Sequence, residues 1–323
     1  MTEQYEKAME LWEVPREFYE AAAPMYRDYE IQLAVKMEKN QVSGEEICVW
    51  LKELGYEEPE KLLWESYSRN VLVKDQKNPE DYRITTFYDR YPYFAQYEPE
   101  AYGKYSEETV RRLNDWDLKV YMGMVADKAL AIARGEDVPM HQTQYLTLEE
   151  SMDMMDTFGE EILILPCNCK AMERCKDKPV NVCINKLEKG PNTPYDRGHG
   201  EILSREETKE WIRKINGKGL MQSGEHQVLC NCDGVCCYPV KMAKILGTRL
   251  RYPTSHYEIQ WDQEKCIQCG KCAKICNFGA FVKEGKKVTY DVEKCWGCTI
   301  CAPNCPKGAI TLKKRQKLTS SEE

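Results

Sequence analysis

The chain has 323 residues, 17 cysteines and a formal net charge of −7, a length that allows two or three domains with a sizeable core. The longest apolar run, near residues 162–165, is far below the roughly 20 residues of a membrane helix. Residues 1–6 are acidic and polar and lack the pattern of an export signal. We therefore expect a cytoplasmic protein without membrane insertion. Disulfide scaffolds are small and secreted, so these cysteines favour reduced thiolates that bind metal.

The charge is unevenly distributed along the chain. Residues 1–150 have a balance of −13, and the remainder has a balance of +6. Thiolate-ligated metal clusters carry negative charge that nearby Lys and Arg side chains offset. The other interpretation of the basic half is ordinary solvated surface charge.

The first third of the sequence is predicted to be mainly helical. Helical spacing over residues 5–40 is followed by a helix that begins after Ser43 and ends at Gly55, and by another that begins at Pro59. Strands are predicted at residues 71–73 and 82–87. Two short helices followed by a hairpin resemble a winged helix over about residues 30–95.

Cys48 and the acidic second helix bear on what this region binds. Cys48 falls in the amphipathic helix after Ser43 and is interpreted as a small buried hydrophobe. A reader of duplex DNA should present basic side chains to phosphate. The second helix instead carries four glutamates and two basic residues: Glu57, Glu58, Glu60, Glu65, Lys61 and Arg69. We therefore predict a module that docks a redox partner and binds no nucleic acid. A long amphipathic helix follows Ser106 towards Ala133, and we place a domain boundary near residue 140.

A cysteine-rich region is predicted over residues 141–258. The strand at residues 162–165 runs into Cys167-Asn168-Cys169, and the strand at residues 227–229 runs into Cys230-Asn231-Cys232. Capping boxes at Thr147 and Ser204 begin helices, the second of which lies between the strands. Strand, helix and strand predict a βαβ crossover with parallel strands, whose carboxyl ends meet at one edge of the sheet. Both Cys-Asn-Cys turns are then expected at that edge, where open α/β sheets hold ligands.

Eight cysteines of this region, the upstream cysteine group, are candidate metal ligands: Cys167, Cys169, Cys175, Cys183, Cys230, Cys232, Cys236 and Cys237. We expect Cys175 and Cys183 in the loop after the first turn, and Cys236 and Cys237 at the N-terminus of a helix from Tyr238, where thiolates are favoured. In addition to any clusters held by the C-terminal cysteines described below, the number suits two further [4Fe–4S] clusters, one cluster and a zinc ion, or one cluster and a redox-active pair.

Other signs of chemistry are few. His199 lies in a glycine-flanked loop and is a candidate for contact with a substrate or a cluster, the alternative being an ordinary exposed histidine. The sequence has no phosphate-binding loop and no dinucleotide fingerprint, so we expect neither nucleotide nor flavin.

The most informative pattern is a pair of cysteine runs near the C-terminus, each spaced Cys-x2-Cys-x2-Cys-x3-Cys. They are Cys266, Cys269, Cys272 and Cys276, then Cys295, Cys298, Cys301 and Cys305. This spacing suits [4Fe–4S] clusters, whereas a zinc ribbon more often shows two separate Cys-x2-Cys pairs. The runs belong to an internal repeat with an offset of 29 residues, which also aligns Gly279 with Gly308 and Ala280 with Ala309.

Residues 262–312, the repeat segment, resemble the bacterial two-cluster ferredoxin, a pseudo-symmetric pair of hairpins and helical turns. In that family the fourth cysteine of each run ligates the opposite cluster. The resemblance implies one cluster on Cys266, Cys269, Cys272 and Cys305, and another on Cys295, Cys298, Cys301 and Cys276. Asn277 stands where the family usually has proline, and we expect it to alter the reduction potential more than ligation.

The sequence thus predicts an α+β multidomain protein. Its parts are a winged-helix-like docking domain, a small α/β cysteine-rich domain, a 2[4Fe–4S] ferredoxin domain and a disordered tail, at residues 1–140, 141–258, 259–313 and 314–323. The predicted function is an anaerobic electron carrier or subunit that relays single electrons through at least two [4Fe–4S] clusters to or from a partner oxidoreductase. One alternative is a reductase whose additional open-site cluster is the reaction centre, and another is an iron–sulfur redox-sensing regulator, which the acidic second helix disfavours.

Overall fold

The structure is a computed structural model that describes residues 2–140, 144–225 and 227–315. It contains 44% helix and 18% strand, in agreement with the predicted α+β class. The α-helices are α1 (Glu3–Leu11), α2 (Tyr19–Ala22), α3 (Asp28–Met37), α4 (Gly44–Glu53), α5 (Pro59–Ser68), α6 (Phe87–Tyr97), α7 (Pro99–Tyr102), α8 (Glu107–Ala133), α9 (Leu148–Asp156), α10 (Asn168–Met172), α11 (Arg205–Gly217), α12 (Tyr238–Leu246) and α13 (Lys271–Ile275).

The strands form four separate sheets within the described residues. They are β1 (Val42–Ser43), β2 (Leu72–Lys74), β3 (Asp81–Ile84), β4 (Tyr145–Leu146), β5 (Glu161–Pro166), β6 (Asn181–Lys186), β7 (Glu201–Ser204), β8 (Met221–Glu225), β9 (Val228–Cys232), β10 (Tyr257–Trp261), β11 (Phe281–Glu284), β12 (Lys287–Tyr290) and β13 (Ile310–Lys314).

The chain divides into two compact units. Unit 1 comprises Met1–Val120, Ala171–Glu173 and Glu188–Gly200, and unit 2 comprises Tyr121–Lys170, Arg174–Leu187 and Glu201–Glu323. This division groups residues differently from the three predicted domains, whose boundaries stay a prediction. No helix among residues 2–140, 144–225 and 227–315 is both long and apolar enough to cross a bilayer.

Unit 1 contains the predicted helices and hairpin. Ser43 caps α4 through a hydrogen bond from the Glu46 backbone N–H, and α4 is followed by α5 and by the antiparallel hairpin β2–β3. The short strand β1 pairs with β3, so the sheet order is β1-β3-β2. Cys48 packs against the hydrophobic core of this region, in line with its interpretation as a small hydrophobe.

The loop of residues 188–200 also belongs to unit 1, where it covers the edge strand β2. The Asn192 side chain accepts from the Lys74 N–H and donates to the Lys74 carbonyl, both at 2.8 Å. His199 stacks on Tyr97 with ring centroids 3.7 Å apart, and its Nε2 lies 2.7 Å from the Ser68 carbonyl oxygen. Burial lowers the pKa of His199 below its usual value. His199 is thus packed within unit 1 and is not the fully exposed histidine of the alternative interpretation.

Unit 2 is built on a six-stranded sheet with the order β4-β8-β9-β6-β5-β7. The predicted crossover is wrong in its connection, because β6, β7 and β8 lie between β5 and β9 in the sequence and neighbouring strands of this sheet pair antiparallel. Since β5 and β9 both pair antiparallel with β6, they nevertheless run in the same direction. Both capping boxes are present, at Thr147 for α9 and at Ser204 for α11.

The repeat segment shows its sequence repeat in the backbone. The antiparallel pair β11–β12 lies within it, and its last strand, β13, pairs antiparallel with β10, which directly precedes the segment. The Asp262 N–H donates to the Ala309 carbonyl, and the Asp291 N–H donates to the Ala280 carbonyl, both at 2.8 Å. These bonds are related by the offset of 29 residues and cross between the two halves. Lys314, the first residue of the predicted tail, is the last residue of β13, and residues 316–323 lie outside the described residues.

Candidate metal centres

Four cysteines of the repeat segment line one cavity of about 340 Å³: Cys266, Cys269, Cys272 and Cys305. Cys269 is exposed, and the neighbouring Ile267 side chain is 55% exposed. Lys271 and Lys307 also line the cavity. This cavity therefore lies near the surface of unit 2 and has a basic rim.

The other four cysteines line a second cavity of about 310 Å³: Cys276, Cys295, Cys298 and Cys301. Phe281 and Trp296 contribute to its wall, and the Trp296 ring stacks on Phe278 at 4.7 Å. The structure thus gathers the cysteines into the two sets that the ferredoxin resemblance implies, with the fourth cysteine of each run placed in the opposite set. Four thiolates around one cavity are the donor set that a [4Fe–4S] cluster requires, so the residues fit that group.

Left-handed backbone conformations explain how closely spaced cysteines turn towards one cavity. Gln268 and Gly297 have φ of 57° and 61°, and Gly270 and Thr299 have φ of 80° and 63°. Each pair is related by the offset of 29 residues and lies between the cysteines of its run. At Gly297 a Cβ atom would lie 1.9 Å from the Ser255 Oγ, so glycine is required there for its small size, whereas Gln268 adopts a similar φ with a side chain.

Backbone N–H groups donate to the sulfur atoms at related positions. Ala280 donates to Cys276 at 3.2 Å, and Ala309 donates to Cys305 at 3.3 Å. Such bonds favour the charged form of a thiol. Burial works in the opposite direction and raises the pKa of Cys272 to about 11 and that of Cys298 further above its usual value. Binding of a metal to these cysteines must therefore release protons.

The upstream cysteine group is brought together by strand register. Ile184 of β6 pairs with Leu229 of β9, which places Cys183 opposite Cys230. The thiols of Cys230 and Cys183 are hydrogen-bonded to each other, and the Cys232 thiol is hydrogen-bonded to those of Cys230 and Cys237. Strand β6 contains Cys183, which the sequence places in a loop. Strand β9 contains Cys230 and Cys232, which the sequence places in a turn. The thiols of Cys167 and Cys169 are also hydrogen-bonded, which lowers the pKa of Cys167 and raises that of Cys169.

The remaining two members of the group form a distinct pair. The Sγ atoms of Cys175 and Cys236 are at bonding distance, and their Cα atoms are 7.1 Å apart, a separation just beyond the usual disulfide range. A carboxylate oxygen of Asp233 lies within 4.8 Å of both sulfur atoms. Cys237 is the N-cap residue of α12, as predicted. The pair suits either a disulfide or two ligands of one metal.

A buried ion pair, absent from the sequence predictions, lies beside these thiols. Lys170 is 1% exposed and donates through its ammonium group to Asp233, which is 3% exposed. Burial lowers the pKa of Lys170, but Cys167, Asp233 and Cys232 outweigh it and raise that pKa above its usual value. A signal for the pair was present in the sequence, because Lys170 and Asp233 each directly follow a Cys-Asn-Cys turn.

A chain of buried amides joins the second Cys-Asn-Cys turn to the repeat segment. Asn304 donates to Asn216 at 2.6 Å, Asn216 donates to Gln222 at 2.7 Å, and Gln222 donates to Asn231 at 2.9 Å. All four are less than 9% exposed. Asn231 then donates to the Val182 carbonyl of β6 at 2.7 Å, so the amide chain links β9 to β6 as well as to the repeat segment.

Asn277 makes a second connection within unit 2. Its side chain donates to the Gly219 carbonyl at 3.1 Å and accepts from the Gly234 N–H at 3.3 Å. Gly234 approaches Asn277 so closely that a Cβ atom at Gly234 would lie 2.2 Å from the backbone carbonyl oxygen of Asn277. Asparagine in place of the usual proline thus supplies two hydrogen bonds to the cysteine-rich region.

Comparison with known proteins identifies one part of the chain. Residues 260–312 match the family described as "4Fe-4S dicluster domain", which agrees with the ferredoxin-type segment predicted from the sequence. No curated protein and no solved structure matches the chain. The dicluster domain supports an iron–sulfur electron-transfer role.

Proposed function

We propose that this protein is an electron-transfer component that holds two [4Fe–4S] clusters in the repeat segment and a further metal centre in the upstream cysteine group. The cysteines lining the first cavity are the ligands of one cluster, and those lining the second cavity are the ligands of the other. A [4Fe–4S] cluster supplies the capacity to take up and release a single electron at a potential that the protein sets.

The observation that carries this proposal is the continuity between the second cavity and the upstream cysteine group. Cys298 of that cavity packs in the same buried cluster as Cys230, Cys232 and Cys237. Because this cluster also contains Val240, Ile275 and Ile300, apolar side chains exclude water between the two sulfur sites. Such burial keeps the dielectric low around both sites, which affects their reduction potentials.

The first cavity is the natural point of contact with a partner. Exposed Cys269 and Ile267, together with Lys271 and Lys307, form its rim. A small apolar contact surrounded by positive charge favours a redox partner with an acidic surface, since complementary charges steer association. The docking role of the acidic N-terminal region stays a prediction.

Counting metal tests the proposal. The full chain would be purified anaerobically, and iron, acid-labile sulfide and zinc would be measured per chain. About eight irons correspond to the repeat segment alone, about twelve to one additional cluster and about sixteen to two, with four irons in each cluster. We expect at least eight irons together with additional iron or zinc. A chain with only trace iron would refute the electron-transfer proposal, and eight irons without zinc would refute the further centre.

A second candidate is a reductase with an open coordination position at the upstream centre. Asp233 favours it, because a carboxylate lies beside Cys175 and Cys236 where a fully cysteine-ligated centre has no need of one. Catalytic metals keep a position that is open to substrate. A substrate-induced change in the spectrum of the non-ferredoxin centre would support this candidate, and four-cysteine ligation of every metal would contradict it.

A further inference from the structure

Tyr145 lies on the face of the sheet that carries the upstream cysteines. It pairs with Ser223 of β8, and Ser223 pairs with Cys230 of β9. Residues in register across antiparallel strands share a face, and so do residues two apart in one strand. Tyr145, Cys230 and Cys232 are therefore on the same face.

The same short strand contacts the repeat segment. Thr299, which directly follows Cys298, donates through its hydroxyl to the Leu146 carbonyl at 3.0 Å. This bond fixes β4 against the turn that carries Cys298. Tyr145 packs in one buried cluster with Cys298, Cys232 and Cys237. Tyr145 thus packs in the same cluster as a cysteine of the second cavity and two cysteines of the upstream group.

The Tyr145 hydroxyl has no hydrogen-bond partner among the residues that the structure describes. The residue is 1% exposed, so solvent does not satisfy the hydroxyl. An unpaired buried hydroxyl destabilises the folded state, and a phenylalanine at this position would avoid that cost. A phenol is protonated at neutral pH, so the hydroxyl is able to donate. Cys298, Cys232 and Cys237 pack in the same cluster, so sulfur is an available type of acceptor.

We propose that the Tyr145 hydroxyl donates a hydrogen bond to sulfur at the metal centre that Cys298 helps to hold, and that this bond raises the reduction potential of that centre. The proposal rests on the electron-transfer function proposed above. Tyr145 acts as a positioning residue, because it adjusts the charge at sulfur and supplies no ligand of its own. A donor at sulfur stabilises the extra negative charge of the reduced state, and hydrogen bonds to sulfur are an established determinant of potential.

The test is a redox titration of the anaerobically purified full chain, followed by EPR, for the wild type and Tyr145→Phe. We expect the reduction equilibrium constant of one centre to fall about tenfold, equivalent to a shift of about 59 mV for one electron. The other centres should keep their potentials, and the iron content should be unchanged. Tyr257→Phe is the matched control, because its hydroxyl donates to Glu150 in the same unit at 2.6 Å. It should leave every potential unchanged.

A second variant guards against loss of iron in the phenylalanine protein. Replacing Tyr145 alone with 3-fluorotyrosine keeps the shape of the ring and makes the phenol a stronger donor, so the same potential should move in the positive direction. Unchanged potentials in both variants of an iron-loaded protein would overturn the proposal. Trace iron in the wild type would instead refute the proposed function, so the two failures are distinguishable.

Discussion

The repeat segment and the upstream cysteine group each contain eight cysteines in unit 2, but they assemble their sulfur atoms by different means. In the repeat segment, three cysteines of each cavity come from one short run and the fourth comes from the other run. In the upstream group, the thiols come from β6, β9 and the segments that follow β5 and β9. Local spacing therefore determines the first arrangement, and long-range strand register determines the second.

The two regions also differ in the charges that surround their sulfur atoms. The repeat segment presents backbone N–H groups to Cys276 and Cys305, and these need no buried charge. The upstream group has the buried Lys170–Asp233 pair beside its thiols. We infer that the upstream group depends on particular side chains, whereas the repeat segment depends mainly on its backbone.

The largest expected difference between the two regions is in metal content after a single cysteine substitution in each. Cys298→Ser removes a thiol from the second cavity and should lower the iron content by about four per chain. Cys230→Ser removes a thiol that is hydrogen-bonded to the thiols of Cys183 and Cys232. This substitution should remove the metal of the upstream group, while the visible spectrum of the repeat segment persists. Metal analysis and visible absorbance measure both results.

Cys48→Ser is the control for these substitutions. Cys48 packs against the core of unit 1, so its replacement should leave the metal content unchanged. If Cys298→Ser and Cys230→Ser each removed all metal, the two regions would form a single cooperative centre, and the distinction between them would be wrong.

Breaking the buried ion pair should have the next largest effect. Lys170→Met leaves Asp233 charged and almost fully buried, and removal of one partner of such a pair costs about 3–5 kcal/mol. Denaturant unfolding of the anaerobic holoprotein measures the loss. Lys265→Met is the comparison, because its pair with Asp262 is exposed to solvent and should contribute little. An equal effect of the two substitutions would show that Lys170 has no special role beside the thiols.

The chain of buried amides offers a smaller test of the link between the regions. Gln222→Leu leaves the side-chain N–H of Asn216 and the side-chain oxygen of Asn231 without the partner that Gln222 provides, and we expect a loss of about 1–3 kcal/mol in the free energy of unfolding. A double-mutant cycle with Asn304→Leu should show non-additivity, because both residues bond to Asn216. Strict additivity would mean that the chain does not act as a unit.

Sequence patterns predicted the local features of this protein well. Capping boxes located α9 and α11, and the spacing and offset of the cysteine runs predicted the repeat that the backbone reproduces. The crossover was wrong because a strand and helix pattern does not reveal that β6 inserts between β5 and β9. This insertion is a long-range pairing, and it alone places Cys183 opposite Cys230. The roles of Lys170 and Tyr145 likewise depend on that sheet.

The pseudo-symmetry of the repeat segment supplies the final and smallest test, at Asn277 and its counterpart Pro306. Asn277→Ala removes two hydrogen bonds to the cysteine-rich region, from Gly234 and to Gly219. At about 0.5–1.5 kcal/mol for each bond, the protein should lose roughly 1–3 kcal/mol of unfolding free energy, as measured with denaturant, and keep its iron.

Pro306→Ala at the related position breaks no side-chain hydrogen bond and should change the stability less. A larger loss of unfolding free energy in Pro306→Ala than in Asn277→Ala would mean that backbone rigidity after the fourth cysteine matters more than the contact with the cysteine-rich region. If Asn277→Ala changed a reduction potential and left the stability unaltered, the asparagine would act on the centre rather than on the contact with the cysteine-rich region. The pair of variants therefore distinguishes the two roles of this position within a single repeat.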